Sequence, residues 1–356
     1  FKIFSMLIEK LIKKKPFEIN EDEKLKIFNK QISYLTKHHY KNCKEYRKII
    51  KNIGFNINNK NKIEDFPMIP VRLFKEFNLK SIPSSKIFKK LVSSGTSGNE
   101  LSKIYLDKKN SNYQIKVLNN ILKTILGNIR VPMLIVDKDP RNNIDNDLSA
   151  RMAAINGFSI FGKNHCYALD NEGKVNHKKI ENFLKNYGFK KFFIFGFTSI
   201  IYESLILNSK KKHDLSNGTL LHGGGWKKLN KLKINNKEFK KRLSDKHHLK
   251  NIFNYYGMIE QTGSIFLECK CGYFITSIFS NILIRDKNFN ILEKNQKGLV
   301  QLISLLPTSY PGHNILTEDV GEIIDRKKCK CSYEGTRFLI HGRIQKAEIR
   351  GCSDAR

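Results

Sequence analysis

The chain has 356 residues, of which 40% are hydrophobic, and its formal net charge at pH 7 is +32. This length supports a sizeable core, and no apolar run reaches the roughly 20 residues of a membrane helix, so we expect no transmembrane segment. The positive charge is mostly lysine spread along the whole chain without a recognised nucleic-acid module, so we expect no specific nucleic-acid partner.

The start of the chain and its cysteine content indicate the compartment. The opening stretch has apolar residues at helical spacing and a lysine cluster, but no small-residue cleavage site, so it predicts a docked helix and not a secretory signal. Seven cysteines, an odd number, argue against a secreted disulfide framework. We therefore expect a cytoplasmic protein.

The apolar pattern divides the chain into four predicted segments. Residues 1–85 are typical of a mainly helical region. Between 86 and 275, short apolar runs alternate with amphipathic stretches, the pattern of a parallel sheet covered by helices. Residues 276–340 indicate a smaller β-rich subdomain, and 341–356 a hinge with a short tail. The predicted fold class is α/β.

A hydroxyl-rich glycine run, SSGTSG, follows a short apolar step and precedes a second extended run, Lys103–Leu106. Its glycines permit positive φ, so successive N–H groups and hydroxyls can surround polyphosphate oxygens. The run is not a Walker motif, because Asn99 stands where that motif needs lysine. An ordinary turn is the alternative. The candidate phosphate-binding residues are Ser93, Ser94, Gly95, Thr96, Ser97 and Gly98.

Two further glycine motifs follow in order. The motif HGGGWKK at 222–228 indicates a strand end where a flat ring can lie against bare backbone, with a tight turn as the alternative. The motif YYGMIEQTG at 255–263 sets an aromatic ring, a glycine bend and a carboxylate close together. Glu260 is thereby a candidate magnesium ligand, and a buried turn with one solvated glutamate is the alternative.

Two more motifs lie near the end of the chain. In TEDVG at 317–321, Asp319 precedes a glycine, where a carboxylate can accept hydrogen bonds from both hydroxyls of a ribose. The segment GRIQKAEIRG at 342–351 is basic and bounded by glycines, which suggests a hinge. The alternatives are an acidic turn for the first motif and a β-turn with a strand for the second.

Two CxC pairs are candidates for a structural zinc site. Cys269 with Cys271, and Cys329 with Cys331, offer four thiolates that would close a tetrahedral site between distant segments. The alternative is four unligated, reduced cysteines. Any zinc here would be structural and not catalytic.

The five nucleotide-type motifs, taken in order, resemble the adenylate-forming superfamily, and longer stretches resemble the acyl-protein synthetase (LuxE-type) family. The likeness runs from about Lys15 to Asp354. It implies the large domain of an adenylate-forming enzyme, with helix-covered sheets, a smaller β-rich subdomain and only a vestigial C-terminal segment. The stretches are IEDFPMIPVRLFKEFNLKSI, FIFGFTSIIYESL, LLHGGGWKKL, NYYGMIEQTGSIF, SYPGHNILTEDVGEI and GRIQKAEIRGCSD.

The resemblance also implies an activity. A carboxylic acid, of the long-chain fatty acid type, is joined to AMP with ATP and Mg²⁺, and pyrophosphate is released. The acyl group then passes to a cysteine thiol of the protein, for delivery to an acyl reductase or acyltransferase partner.

The same resemblance assigns roles to individual residues. The 93–98 run would hold phosphates, Glu260 the magnesium and Asp319 the ribose. Arg343 would contact ribose or phosphate at the hinge, and Lys227 or Lys228 would supply a cation near the α-phosphate. The adenine would be enclosed by Tyr256, Gly223, Gly224 and Gly225, with Gly257 also in the cofactor site.

Cys352 is the predicted acyl carrier. Its neighbours Arg350 and Arg356, with Lys346 close in sequence, favour the reactive thiolate. The resemblance places the thioester on a cysteine near the carboxyl end, and the GCSD context assigns that role to Cys352.

Two rival functions stay open at this point. A ligase that uses free coenzyme A would turn over without Cys352. A basic polyanion-binding protein would show no ATP chemistry and steeply salt-dependent binding.

Overall fold

The computed structural model describes residues 2–59, 61–93, 101–142, 150–225 and 234–344. The described residues form two units. Unit 1 contains the residues up to 121 together with those from 257 onward, and unit 2 contains 122–256. The helices near the start of the chain therefore share a unit with the strands near its end.

The elements are numbered in chain order. The α-helices are α1 (Lys2–Ile12), α2 (Glu21–Asn42), α3 (Lys44–Asn52), α4 (Leu73–Glu76), α5 (Lys108–Leu126), α6 (Ala150–Ser159), α7 (His177–Tyr187), α8 (Thr198–Ile201) and α9 (Asn236–His247). The strands are β1 (Ile69–Pro70), β2 (Lys89–Val92), β3 (Lys103–Leu106), β4 (Val131–Ile135), β5 (Gly162–Tyr167), β6 (Phe192–Phe197), β7 (Gly218–Gly223), β8 (Asn251–Tyr256), β9 (Phe266–Glu268), β10 (Phe274–Ile275), β11 (Ser280–Arg285), β12 (Gly298–Ser304), β13 (Asn314–Ile324) and β14 (Arg337–Arg343).

Unit 1 is built on antiparallel strands in the order β11-β12-β13-β14-β10-β9. The short β1 adds to β13 in parallel, so that Ile69 pairs with Ile315. Two buried tyrosines, Tyr46 on α3 and Tyr310, belong to the same apolar cluster as both of these isoleucines. The β1–β13 pair thus anchors the early helices to strands that come about 250 residues later.

Unit 2 contains the parallel strand order β8-β7-β6-β4-β5. Every residue of β4, β6 and β7 is buried, as expected for parallel strands that are covered on both faces. The apolar stripe of α7 buries Ile180 and Phe183, and that of α9 buries Phe239 and Leu243. The predicted α/β fold class is confirmed.

None of the helices in the described part of the chain combines the length and the apolar character needed to cross a membrane.

Candidate functional site

In unit 1, Ser93 and Ser102 close the neck of the β2–β3 hairpin. The Ser93 N–H donates to the Ser102 carbonyl at 3.0 Å, and the Ser102 N–H donates to the Ser93 hydroxyl oxygen at 2.9 Å. The strands pair antiparallel just behind them, with Val92 opposite Lys103. Ser93 therefore holds the two ends of the segment that contains the glycine run.

Glu260 lies in a short 3₁₀ turn and is almost completely buried. Burial raises the pKa of its carboxyl, while a hydrogen bond with the Ser102 side chain and the charges of Arg343 and Lys75 act in the opposite direction. A buried carboxylate gains from a nearby cation, and an oxygen ligand of this kind suits Mg²⁺. The residue predicted as a magnesium ligand thus sits against the neck of the predicted phosphate loop.

The turn that carries Glu260 is fixed by its neighbours. The side-chain amide of Gln261 donates to the carbonyls of Leu302 and Gly312, at 3.1 and 2.9 Å. A Cβ at Gly312 would stand 2.6 Å from the Glu260 carbonyl oxygen, so only glycine allows this approach. The buried carboxylate is therefore held by the SYPGH segment that precedes β13.

Asp319 and Arg343 are adjacent at the paired ends of β13 and β14. Their Cα positions are partners in the antiparallel register, and the Arg343 Nε is 3.4 Å from the Asp319 Oδ1. Asp319 is largely buried, whereas Arg343 is more exposed. The next residue, Ile344, donates its N–H to the Glu318 carbonyl at 3.0 Å. The structure thus brings together the predicted ribose ligand and the predicted hinge arginine, and Arg343 also acts on Glu260 through its charge.

In unit 2, the predicted adenine residues lie at strand ends. β7 ends at Gly223, and Gly224 and Gly225 follow it with their backbone exposed. A Cβ at Gly223 would stand 2.3 Å from the Tyr255 ring, so a side chain of this protein already lies against that bare backbone. Tyr256 ends β8 and is half-buried; Gly257, which follows it and belongs to unit 1, is exposed.

Several predicted residues lie outside the described ranges. These are Ser94, Gly95, Thr96, Ser97, Gly98, Lys227, Lys228 and Cys352.

Sequence reasoning missed three residues that support the predicted ones. Ser102 contacts both Ser93 and Glu260, and Lys75 acts on Glu260 through its charge. Tyr255 covers Gly223. The only sequence signal for Ser102 is its position directly before an extended run, and none marks Lys75 among so many lysines.

The CxC cysteines of unit 1 also meet. The sulfur of Cys329 is 3.7 Å from that of Cys269 and 3.2 Å from that of Cys331. These three sulfurs lie within 4.8 Å of one another. Two segments far apart in sequence therefore form one thiol cluster.

Comparison with solved structures shows the fold of adenylate-forming ligases. An open conformation of 2-hydroxyisobutyryl-CoA ligase in complex with 2-HIB-AMP and CoA aligns with a TM-score of 0.69 at 14% identity, over 94% of this chain and 78% of that one. The same ligase in the postadenylation state with R3-HIB-AMP gives 0.67 at 13% identity, over 92% and 69%. An ATP-bound RpMatB-BxBclM chimera gives 0.50 at 12% identity, over 74% and 49%.

A comparison with curated protein sequences found no match. The model of the family described as "Acyl-protein synthetase, LuxE" matches residues 3–356. Because that match spans nearly the whole chain, this protein belongs to the acyl-protein synthetase (LuxE) family.

Proposed function

We propose that this protein is an acid–thiol ligase that activates a long-chain fatty acid as acyl-AMP and then transfers the acyl group to the thiol of Cys352. An acyl reductase or acyltransferase would take the acyl group from that thioester. We further propose that it works in the cytoplasm, with ATP and Mg²⁺ as cofactors.

One observation carries the first half of the proposal. Glu260 is buried beside Ser102, whose side chain acts to lower the pKa of the carboxyl, and Ser102 is hydrogen-bonded to Ser93 at the neck of the glycine run. A carboxylate is thereby placed next to a loop rich in N–H and hydroxyl donors. The carboxylate suits a metal ion, and the donors suit the phosphate oxygens that the metal ion would also bind.

In the proposed adenylation step, each residue binds the part of the substrates that its chemistry suits. A substrate carboxylate oxygen would attack the α-phosphorus of ATP, and the bond to the bridging oxygen would break as pyrophosphate leaves. Donors of the 93–98 run would bind the β- and γ-phosphates, Glu260 would hold Mg²⁺, and Asp319 would accept from the ribose hydroxyls. Mg²⁺, when bound, supplies charge compensation for the phosphate oxygens.

The remaining cofactor roles are proposed separately for each residue. Tyr256 and Gly257, with the glycines at 224 and 225, would border the adenine. Lys227 would supply the cation near the α-phosphate, and Arg343 would contact ribose or phosphate. At position 223, the close Tyr255 ring alone explains why the residue is a glycine.

Cys352 supports the second half of the proposal through its place in the chain. It follows Ile344 by eight residues, and eight extended residues span at most about 28 Å. Ile344 is bonded to β13 beside Asp319, so the tether begins next to the proposed ribose ligand. The thiolate sulfur would attack the acyl carbonyl carbon, AMP would leave, and the thiol proton would pass to solvent.

Apolar and aromatic side chains of the kind that would suit a fatty acyl chain are buried in unit 2. Phe195 packs on Phe158 with ring centroids 4.5 Å apart, and Phe197 and Ile201 are also buried. Because core packing accounts for them, the proposal of a fatty acid depends on the family and not on this cluster.

Acid-dependent exchange of labelled pyrophosphate into ATP tests the activation step. We expect exchange with tetradecanoic acid and Mg²⁺, and none when the acid is omitted. Absence of exchange across fatty, aryl and sugar-derived acids, together with steeply salt-dependent binding of nucleic acid, would overturn the proposal in favour of polyanion binding.

The fold relatives make coenzyme A the rival acceptor, so the same reaction is run with free coenzyme A. If Cys352→Ser forms acyl-coenzyme A as fast as the unmodified protein, the soluble thiol is the acceptor. If product requires Cys352, the protein thiol is the acceptor.

A further inference from the structure

The four CxC cysteines lie in two tight turns of unit 1. The first turn joins β9 to β10: Cys269 donates its N–H to Tyr273, and Gly272 turns the chain with a φ of 86°. The second follows β13, where the Cys329 N–H donates to the Arg326 carbonyl at 3.0 Å. The two turns bring the sulfurs of Cys269, Cys329 and Cys331 within 4.8 Å of one another.

The spacing of the sulfurs matches a tetrahedral metal site. Four thiolates at about 2.3 Å from one Zn²⁺ lie about 3.8 Å from one another. The Cys269–Cys329 separation of 3.7 Å has this length, and the Cys329–Cys331 separation is 3.2 Å. Cys271 lies in the same turn as Cys269, two residues later, and its exposed thiol is the fourth ligand that the closed site requires.

A buried arginine provides an independent observation at the same place. Arg337 is 2% exposed and points an amino group at the Cys331 sulfur, 3.5 Å away. Its other partners are the carbonyls of Tyr333 and Gly335, and no carboxylate of the described residues forms an ion pair with it. A buried guanidinium needs a compensating negative charge.

We propose that Cys269, Cys271, Cys329 and Cys331 bind one structural Zn²⁺ in a closed tetrahedral site. Four thiolates around Zn²⁺ carry a net charge of −2, which supplies the compensation that Arg337 lacks among carboxylates. Binding releases the four thiol protons to solvent, and no sulfur is oxidised.

The metal would link the turns next to β9, β10 and β14, which pair at β10. This two-residue strand pairs with β9 on one side and with β14 on the other, and the two turns flank these pairings. Because so short a strand contributes few hydrogen bonds, a metal bridge between the turns would hold this part of the sheet together. Zinc is therefore expected to act on stability and not on the acyl chemistry.

The first test measures metal in the full-length protein purified without an affinity metal and under reducing conditions. We expect about one zinc per chain and an X-ray absorption spectrum with four sulfur neighbours at about 2.3 Å. Replacement of zinc by Co²⁺ should give the intense visible bands of tetrahedral thiolate ligation.

Variants separate a metal site from four packed thiols. Cys271→Ser removes the exposed ligand and should lose most of the zinc while the protein still folds, whereas the control Cys166→Ser should keep it. If substitution prevents folding, the Co²⁺ spectrum of the unmodified protein decides alone. Zinc-free protein that gives no thiolate bands with Co²⁺, or a disulfide within the cluster found by mass spectrometry, would overturn the proposal.

Discussion

Asp319 and Arg343 are register partners across β13 and β14, with the Arg343 Nε 3.4 Å from the Asp319 Oδ1. The sequence predicts a ribose ligand at one and a hinge contact at the other, from motifs that are separate in the chain. The structure makes them one ion pair, and the segment that leads to Cys352 begins one residue later. Substitutions near this pair should therefore affect nucleotide binding and acyl transfer together.

Asp319→Asn should weaken nucleotide binding. The amide loses the charge and half of the acceptor capacity that would hold the ribose hydroxyls, so we expect kcat/KM for ATP to fall about 100-fold, or about 2.7 kcal/mol. Pyrophosphate exchange at varied ATP measures it. Glu322→Gln, three residues further along β13 and hydrogen-bonded to His341, is the control and should change little. An unchanged KM for ATP in Asp319→Asn would contradict the ribose role.

Glu260→Gln should impair the use of Mg²⁺. The substitution keeps the shape of a buried side chain but removes the charge that we propose binds the cation, so the Mg²⁺ concentration for half-maximal exchange should rise and the rate should fall about 100-fold. Glu181→Gln, on the surface of α7, is the control. A normal response to Mg²⁺ in Glu260→Gln would show that this carboxylate is only structural.

Gly223→Ala should destabilise unit 2. The added Cβ would stand 2.3 Å from the Tyr255 ring, and the partly buried ring has to move, at a cost of about 2 kcal/mol. Gly157→Ala in α6 is the matched control, since its Cβ meets no atom within 4 Å and alanine favours a helix. Urea unfolding of both variants measures the difference. Equal stability of the two variants would mean that Tyr255 does not lie against Gly223.

Two buried histidines of unit 1 predict a loss of stability in acid. Burial lowers the pKa of His313 to about 3 and that of His39 well below its usual value. His39 is satisfied in the neutral form, with Nε2 donating to the Pro307 carbonyl and Nδ1 accepting from Ser81. Below about pH 6.5 the unfolded chain binds protons that the folded chain does not, so stability falls with pH by up to about 1.4 kcal/mol per unit for each histidine.

His313→Gln isolates one of these contributions. Between about pH 6 and pH 4, the free energy of unfolding of the variant should fall less steeply than that of the unmodified protein, by up to about 1.4 kcal/mol per pH unit. Urea unfolding at several pH values measures both slopes. Equal slopes would mean that His313 takes up its proton in the folded state.

The local pattern of apolar residues predicts individual strands better than it predicts which strands pair. KFFIFGF is one of the short apolar runs between 86 and 275 that indicate a covered parallel sheet, and β6 is fully buried between β4 and β7. By contrast, no local signal pairs Ile69 with Ile315, because that contact depends on how distant segments fill one core. Short strands such as β1 and β10 form only because their neighbours supply the hydrogen bonds.

The same distinction applies to the candidate site. Glu260 and Asp319 stand out in sequence because each carboxylate lies beside a glycine motif. Ser102 does not, since a serine before a strand is common and its role appears only when Glu260 reaches it through the fold. The glycine at 223 indicated space for a ring, but sequence could not tell that the ring is Tyr255.

The most direct test of the central claim is self-acylation. The purified protein is incubated with ATP, Mg²⁺ and radiolabelled tetradecanoic acid, denatured, and treated with neutral hydroxylamine, with Cys352→Ser and the control Cys166→Ser beside it. We predict hydroxylamine-labile label on the unmodified chain and on Cys166→Ser, and none on Cys352→Ser. Label that persists in Cys352→Ser, or an unlabelled chain that nevertheless forms acyl-AMP, would contradict the assignment of Cys352 as the acyl carrier.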